Sequence, residues 1–126
     1  MWRSYDNITI QVGESLADAL QDFGKTLQAV IDGEEVAPHF GVGFENMAQM
    51  GAVFSPKRWE LVETLKKTGA QSIYALAKRL NRHYRNVHQD VAMLSEWMVI
   101  EKDASGKVFV PWDEIDIQWP LQRLAA

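Results

Sequence analysis

The chain has 126 residues, a formal net charge of −4 and no cysteine. Its length suits one compact domain with a short additional segment, and the lack of cysteine excludes disulfide and thiolate chemistry and favours a reducing compartment. Hydrophobic residues make up 47% of the chain, yet no apolar run approaches the ~18 residues of a transmembrane helix. The opening residues lack the pattern of a signal peptide, so we expect a cytoplasmic protein.

Charge is distributed unevenly along the chain. Residues 1–56 carry a net charge of −6, residues 57–108 carry +4 and residues 109–126 carry −2. Such asymmetry predicts a basic working surface flanked by acidic segments that have another role. The alternative is that the basic residues only keep surface helices soluble.

The N-terminal part predicts a strand followed by an amphipathic helix. "NITIQV", residues 7–12, alternates apolar and polar residues as a half-buried strand does. "GESLADALQDFGKTLQAVIDGEE" then predicts a helix that Ser15 caps and Gly33 ends. Its apolar stripe could pack on its own domain or on a second subunit, and consists of Leu16, Leu20, Phe23, Leu27 and Val30.

The segment that follows, "EEVAPHFGVGFENMAQMGAVF", is harder to interpret. The alternation of Phe40, Val42 and Phe44 with glycines indicates a short strand or an irregular arm. Its "GVG" is not a phosphate-binding loop, because the G-x-G-x-x-G pattern is incomplete and no buried strand leads into a helix there.

From Ser55 the signals become sharper. "SPKRWELVETLKKTG" predicts a helix that begins with Ser55 as cap and ends at Gly69, and "QSIYALAKRL" predicts a second, capped by Ser72. After "NRHY", a third helix is expected over residues 84–98, followed by a hairpin with its turn at "DASG". The inner stripe of that third helix is Val87, Val91, Leu94 and Met98.

Three helices followed by a two-stranded ribbon outline a winged helix-turn-helix. We therefore expect a mainly α fold with a small β-wing (α+β), preceded by an N-terminal strand and helix. Residues 1–54 would form a dimerisation or partner-binding region, residues 55–118 the DNA-binding domain and residues 119–126 a tail.

The start of the third helix concentrates side chains suited to reading DNA. Arg82, Arg85, Asn86 and Gln89 lie at i, i+3, i+4 and i+7, on a different face from the apolar stripe. Arginine can bind guanine with two hydrogen bonds, and asparagine or glutamine can bind adenine in the same way. The N-terminal end of a recognition helix is also the part that enters the major groove. These four residues are therefore the predicted base readers.

Other basic residues are placed for phosphate contacts. Lys78 and Arg79 end the second helix, and Lys102 and Lys107 flank the hairpin tip. The full predicted DNA-contacting set is Ser72, Lys78, Arg79, Arg82, His83, Arg85, Asn86, His88, Gln89, Lys102 and Lys107.

Catalytic and metal chemistry have little support. His83 and His88 are five residues apart and no cysteine assists them, so a metal site is not expected. There is no nucleophile motif and no evident pair of acid and base, so we expect no enzyme activity and no cofactor. The five tryptophans, including Trp2, Trp59 and Trp97, suit a core or an interface better than a stacking platform, and His39 has no evident partner.

The segment "KRWELVETLKKTGAQSIYALAKRLNRHYRNVHQDVAMLSEWMVIEKDASGKVFVPWDEIDI" resembles the MarR-like winged-helix predicted transcriptional regulators of prokaryotes. The similarity is carried by "S-I-x-x-L-A-x-x-L-x-R", "N-V-H-x-D-V-x-x-L" and "V-P-W-D", over roughly residues 55–118. The resemblance implies a homodimeric repressor that binds double-stranded DNA. Members of that family often resemble the antitoxin half of a toxin–antitoxin pair. Under that resemblance Arg82, Arg85, Asn86 and Gln89 would read DNA.

Two functions therefore stay open. The first is a sequence-specific, autoregulatory repressor that binds duplex DNA. The second is an antitoxin-type interaction module whose acidic residues 1–56 neutralise a small cationic toxin. One protein could do both.

Overall fold

The computed structural model describes residues 5–13, 16–33 and 40–121, so the predictions for Trp2, Ser15 and His39 lie outside the described residues. Within these ranges the fold is mixed, with five helices and two small sheets, in agreement with the expected α+β class. In chain order the elements are β1 Tyr5–Val12, α1 Leu16–Ile31, β2 Phe40–Phe44, α2 Met47–Val53, α3 Pro56–Thr68, α4 Ile73–Leu80, α5 Tyr84–Glu96, β3 Glu101–Lys102, β4 Val108–Phe109 and β5 Trp112–Gln118.

The chain divides into two compact units. One is built on Gly51–Glu114 together with Met1–Asp6, and the other on Asn7–Met50 together with Ile115–Ala126. Strand β5 crosses from the first unit into the second. Every residue of the predicted DNA-contacting set belongs to the Gly51–Glu114 unit, which we call the helical unit. The other is called the sheet unit.

The sheet unit contains a three-stranded sheet in the order β2-β1-β5. Strands β1 and β2 are parallel, with Ile8 opposite Phe40 and Val12 opposite Phe44. The predicted strand at residues 7–12 is confirmed, and its apolar residues Ile8, Ile10 and Val12 are buried. Thr9, on the opposite face of this central strand, is buried as well.

Helix α1 links β1 to β2, and the prediction of a helix here is confirmed. Gly33 follows its end with a φ of 78°, a conformation that glycine adopts at little cost. The short-strand alternative for residues 40–44 is also correct and the irregular-arm alternative is wrong, whereas helix α2 was not predicted. Of the predicted apolar stripe, Phe23, Leu27 and Val30 are exposed, which does not match packing of these three side chains on the same chain.

Helices α3 and α4 begin with the predicted caps. The Ser55 hydroxyl accepts from Arg58 N at 3.4 Å, and the Ser72 hydroxyl accepts from Ala75 N at 3.1 Å. Helix α3 ends at Gly69, as predicted. The core of the helical unit is formed by the apolar stripes of α3, α4 and α5 together with residues of the hairpin region. Its buried residues include Leu61, Val62, Leu65, Leu76, Ala77, Val87, Val91, Leu94, Val99, Ile100, Val108 and Val110.

Helix α5 ends earlier than predicted, which corrects the position of Met98. The helix stops at Glu96, and Met98 has a φ of 68° with its side chain 42% exposed. Val99 N donates to Leu94 O at 3.0 Å and Met98 N to Ser95 O at 3.1 Å, the two hydrogen bonds of a Schellman motif. The chain therefore reverses direction at Met98. Val99 is buried instead of Met98, which the apolar stripe had predicted to be buried.

The predicted hairpin is formed by β3 and β4, which are antiparallel. Gln71, just before α4, pairs with Val108 through two backbone hydrogen bonds of 3.2 and 2.9 Å. The hairpin is therefore anchored to the segment between α3 and α4. After it, the Trp112 indole donates to Met98 O at 2.8 Å and is buried, so this tryptophan is a core residue.

Candidate nucleic-acid interface

The turn between α4 and α5 fixes where α5 begins. Asn81 has φ 53° and ψ 48°, Arg82 N donates to Ala77 O at 3.0 Å, and Asn81 N donates to Lys78 O at 3.1 Å. This is a second Schellman motif, with asparagine in the left-handed position. Two residues later His83 caps α5, its Nδ1 accepting from Arg85 N at 3.2 Å. Both ends of this three-residue turn are thus closed by hydrogen bonds.

The first two turns of α5 present a polar face to solvent. Its exposed residues are Tyr84, Arg85, Asn86, His88 and Gln89, which we call the α5 face. The centres of the Tyr84 and His88 rings lie 5.9 Å apart, with the rings tilted relative to each other. Within the described part of the chain, the side chains of Arg85, Asn86 and Gln89 have no hydrogen-bond or ion-pair partner. Their donors and acceptors are available to an outside molecule.

The inward side of the same helix carries a charged cluster. Asp90 accepts from Arg58 Nε at 3.0 Å and from an Arg82 terminal nitrogen, Nη2, at 2.6 Å. The three side chains are only 12%, 19% and 20% exposed, in that order. We call these residues the Asp90 cluster. Because it joins α5 to α3 and to the turn before α5, it holds the start of α5 in place.

Arg58 extends this cluster to the end of α2. Its Nη1 donates to Val53 O at 2.7 Å and to Ala52 O at 3.3 Å. One guanidinium therefore satisfies the last carbonyl groups of α2 and part of the Asp90 carboxylate. Charged hydrogen bonds of this kind are about twice as strong as neutral ones.

The cluster separates Arg82 from the other predicted base readers. Its guanidinium contacts Asp90, and its Nη1 is buried without a hydrogen-bond partner among the described residues. Arg85, Asn86 and Gln89 are exposed instead. Arg82 precedes α5, where the Schellman turn sets its direction, so helical spacing counted back from Gln89 does not apply to it.

Asp90 is the residue of this candidate site that the sequence interpretation missed. It follows Val87 by three residues and precedes Leu94 by four, so it lies on the apolar side of α5. A carboxylate in that position needs a basic partner, because burying an unpaired charge is very unfavourable. The position of Asp90 in the sequence therefore indicates that it has a basic partner, but it does not indicate which of the nearby arginines that partner is.

The predicted phosphate-contacting residues are placed in two regions of the helical unit. Lys78 and Arg79 are exposed at the end of α4; Lys78 Nζ lies 5.0 Å from the centre of the Tyr74 ring, and Arg79 Nε donates to Gln71 Oε1 at 3.4 Å. Lys102 and Lys107 are exposed on the hairpin. Ser72 differs from these, because its hydroxyl is used as the cap of α4.

The hairpin tip is organised by one carboxylate. Asp103 Oδ1 accepts from the Ser105 hydroxyl at 2.6 Å, from Ser105 N at 2.9 Å and from Lys107 N at 3.0 Å. The Ser105 hydroxyl is the main cause that lowers the pKa of Asp103 below its ordinary value of 3.8, with help from the two amides and the Lys107 charge. The tip is therefore held by an ionised Asp103, next to the exposed Lys107.

Two other kinds of site are absent from the described residues. No group of histidine, aspartate and glutamate there could hold a metal ion. None of the helices in that part of the chain combines the length and the apolar character needed to span a bilayer.

Comparison with known proteins relates the chain to one family. The family model HVO_A0114 matches residues 53–117, just over half of the chain, and this range contains the α5 face, the Asp90 cluster and the hairpin. Searches of curated proteins and of solved structures found no match.

Proposed function

The chain belongs to the HVO_A0114 family, and we propose that it is a sequence-specific, double-stranded DNA-binding regulator that acts through the α5 face. The observation that carries the proposal is the exposure of Arg85, Asn86 and Gln89 on the first two turns of a helix whose opposite side is fixed by the Asp90 cluster. Base recognition needs donors and acceptors that are both accessible and held in a defined position.

The order of elements in the helical unit supports this role. Helix α3, the Gln71 bridge, helices α4 and α5, and the hairpin β3–β4 follow one another as in a winged helix-turn-helix. In that arrangement α5 is the recognition helix and the hairpin is the wing. The proposed MarR-like relationship has the same basis.

We assign different tasks to the predicted DNA-contacting residues. Arg85, Asn86 and Gln89 read bases, whereas Lys78, Arg79, Lys102 and Lys107 contact phosphates and do not discriminate between sequences. His83 and His88 border the α5 face and contribute phosphate contacts. Arg82 is a positioning residue that acts through Asp90, and Ser72 acts by capping α4.

The proposed regulator is a cytoplasmic homodimer that represses its own promoter. Two-fold symmetry would place two α5 helices in successive major grooves and require two half-sites, about 10 base pairs apart or a multiple of that distance. Repression follows if that operator overlaps the promoter.

The test is fluorescence anisotropy of the full chain with duplex DNA from upstream of its own coding sequence, compared with a scrambled duplex of equal length and composition. We expect the upstream duplex to bind at least ~10³-fold more tightly at physiological salt. Equal binding of both duplexes would remove autoregulation at that site. Footprinting of the bound duplex would then show whether protection comes in two half-sites.

A second role, capture of a small cationic toxin, is favoured by one observation. Residues 1–56 carry the net charge of −6, and residues 7–50 of this segment belong to the sheet unit, whereas the α5 face belongs to the helical unit. The test is co-expression with a small basic protein encoded by the adjacent gene. Restored growth together with a purified complex would support capture, and growth arrest despite expression would contradict it.

A further inference from the structure

Helix α1 presents an apolar surface that nothing in the described part of the chain covers. Phe23 is 66% exposed, Leu27 48%, Val30 58% and Ile31 68%. Isolated helices of this length are marginal in water, since most helical stability in proteins comes from packing of an apolar face. A 16-residue helix with these four side chains in solvent is therefore expected to have a partner.

The spacing of the apolar residues indicates what kind of partner fits. Leu16, Leu20, Phe23, Leu27 and Val30 are separated by four, three, four and three residues. This alternation is the heptad seam of helices that pack along their length against another helix. A sheet or an irregular loop would not need a seam that continues over two heptads.

The charges on α1 show which helix can approach. The residues that flank the seam are small, uncharged or apolar: Ala17, Ala19, Gly24, Thr26 and Ile31. Asp18, Asp22 and Lys25 all lie on the opposite half of the helix. Two copies of this seam can therefore meet without bringing like charges together, even though residues 1–56 are strongly acidic.

We propose that α1 is a homodimer interface, in which the seam of one copy packs against the same seam of a second copy around a two-fold axis. A seam that is complementary to itself is what a two-fold contact requires. Gly24 lies near the middle of the helix, and a Cβ added to it would meet nothing within 4 Å, so the flank of the seam has room for a close approach.

Two other occupants suit this surface less well. Helices that lie on anionic lipid usually carry lysine and arginine on the polar face, whereas α1 has two aspartates and one lysine there. A cationic protein would be attracted by acidic residues beside the seam, and those flanks are uncharged. The dimer proposal stands independently of DNA binding, because α1 belongs to the sheet unit and carries none of the proposed DNA contacts.

The first experiment is sedimentation of the full chain across a concentration series. We expect the wild type to reach twice the 14.4 kDa mass of one chain, and Leu27→Lys to remain at the single-chain mass at the same concentrations. Gln21→Lys is the matched control, because it places the same lysine about 120° away from position 27 around the helix, where Gln21 is already exposed. This variant should dimerise as the wild type does. A monomeric wild type, or an unchanged dimer of Leu27→Lys, would overturn the proposal.

The second experiment does not depend on weakening the interface. The chain has no cysteine, so Gly24→Cys introduces a single thiol beside the middle of the seam, and Lys25→Cys introduces one on the opposite side. Mild oxidation should join the Gly24→Cys chains into a covalent dimer and leave Lys25→Cys chains unlinked, since a disulfide needs Cβ atoms within about 4.5 Å. Linking of the Lys25→Cys chains as readily as the Gly24→Cys chains would contradict a seam-to-seam contact.

Discussion

Asp90 pairs with Arg58 and Arg82 on the side of α5 that is opposite the α5 face. One acidic residue thereby determines which basic side chains remain on the exposed side. Asp90 draws both guanidinium groups to the inner side of α5, and this leaves Arg85 as the arginine of the α5 face. The types of residue at the site were predictable from the sequence, because arginine, asparagine and glutamine cluster at the start of a helix. The direction of Arg82 was not, because it depends on a turn conformation and on a partner eight residues away.

Replacing Asp90 tests the cluster directly. Asp90→Asn keeps the shape of the side chain but leaves two largely buried guanidinium groups without a counter-charge. We expect the free energy of unfolding to fall by about 3 kcal/mol, as when one partner of a buried ion pair is removed. Urea unfolding followed by tryptophan fluorescence measures it, since Trp59, Trp97 and Trp112 lie in the helical unit.

The matched control for this variant is Asp113→Asn. Asp113 pairs with Lys66 at 3.7 Å, but the two side chains are 63% and 44% exposed, so the loss should stay below about 1 kcal/mol. Equal effects of the two substitutions would show that the Asp90 cluster is no stronger than a surface ion pair.

Arg85 is the residue whose loss should change sequence preference. Arg85→Ala removes an exposed guanidinium from the α5 face without disturbing the cluster behind it. We expect a loss of about 1–3 kcal/mol on the preferred duplex and relaxed preference at one base position. Anisotropy on a set of single-base variants of that duplex measures both quantities.

Lys78→Ala provides the contrast for Arg85→Ala. The Lys78 side chain is proposed to contact phosphate, so its removal should weaken binding by a similar factor on every duplex in the set. If Arg85→Ala also weakens all duplexes equally, Arg85 is a phosphate contact and the assignment of bases to the α5 face is wrong.

Among the helices and strands, the sequence predicted the end of an element correctly where the interactions that form it involve only a few neighbouring residues. Ser55, Ser72 and Gly69 mark the ends of α3 and the start of α4 because capping needs only neighbouring backbone groups. Strand β2 was one of two alternatives, and α2 was not predicted. The pairing of β2 with β1 depends on residues about 32 positions apart, a distance over which sequence periodicity carries no information.

The turn before α5 gives a prediction about backbone conformation. Asn81 is left-handed, with φ 53°, and other residues with a Cβ pay about 1–2 kcal/mol for that conformation. Asn81→Ala should therefore lower the free energy of unfolding by about 1 kcal/mol, measured by urea titration. Asn81→Gly, which adopts the conformation freely, should stay within about 0.5 kcal/mol of the wild type. A larger loss for glycine than for alanine would contradict the Schellman turn.

The hairpin tip gives a prediction about pH. Hydrogen bonds from Ser105 lower the pKa of Asp103 in the folded chain, so its stabilising contribution is complete above the ordinary value of 3.8 and is lost as the pH falls through the lower folded pKa. The amide proton signals of Ser105 and Lys107 should shift together with a midpoint below pH 3.8. Asp103→Asn should abolish this shared titration, and a midpoint above 3.8 would contradict the hydrogen bonds at the tip.

Across the molecule, the separation of charge predicts how binding responds to salt. The four lysine and arginine residues that are proposed to contact phosphate lie in the basic segment, residues 57–108, while the rest of the chain is acidic. Affinity for duplex DNA should fall as salt rises, and Lys107→Ala should reduce the slope of log K against log salt by about 1 per protomer. Lys25→Ala, in α1, is the control and should leave the slope unchanged; an equal change for both variants would place the DNA elsewhere.

The division into units was only partly visible in the sequence. The change in charge near residue 56 lies close to the observed boundary at Gly51, but the return of the chain to the sheet unit after Glu114 was not foreseen. The sequence interpretation ended the DNA-binding domain at residue 118, because "WDEIDIQW" has no signal that separates its first three residues from the rest.

The Asp90 cluster also restricts how this sequence can diverge. A chain that lost only Asp90 would bring two positive charges together, whereas a chain that exchanged Arg58, Arg82 and Asp90 together for apolar residues of similar volume could remain stable. Intermediate genotypes are therefore the unfavourable ones, and positions 58, 82 and 90 should vary as a correlated set. The proposed base preference can evolve more freely, since Arg85, Asn86 and Gln89 form no hydrogen bond or ion pair with that set among the described residues.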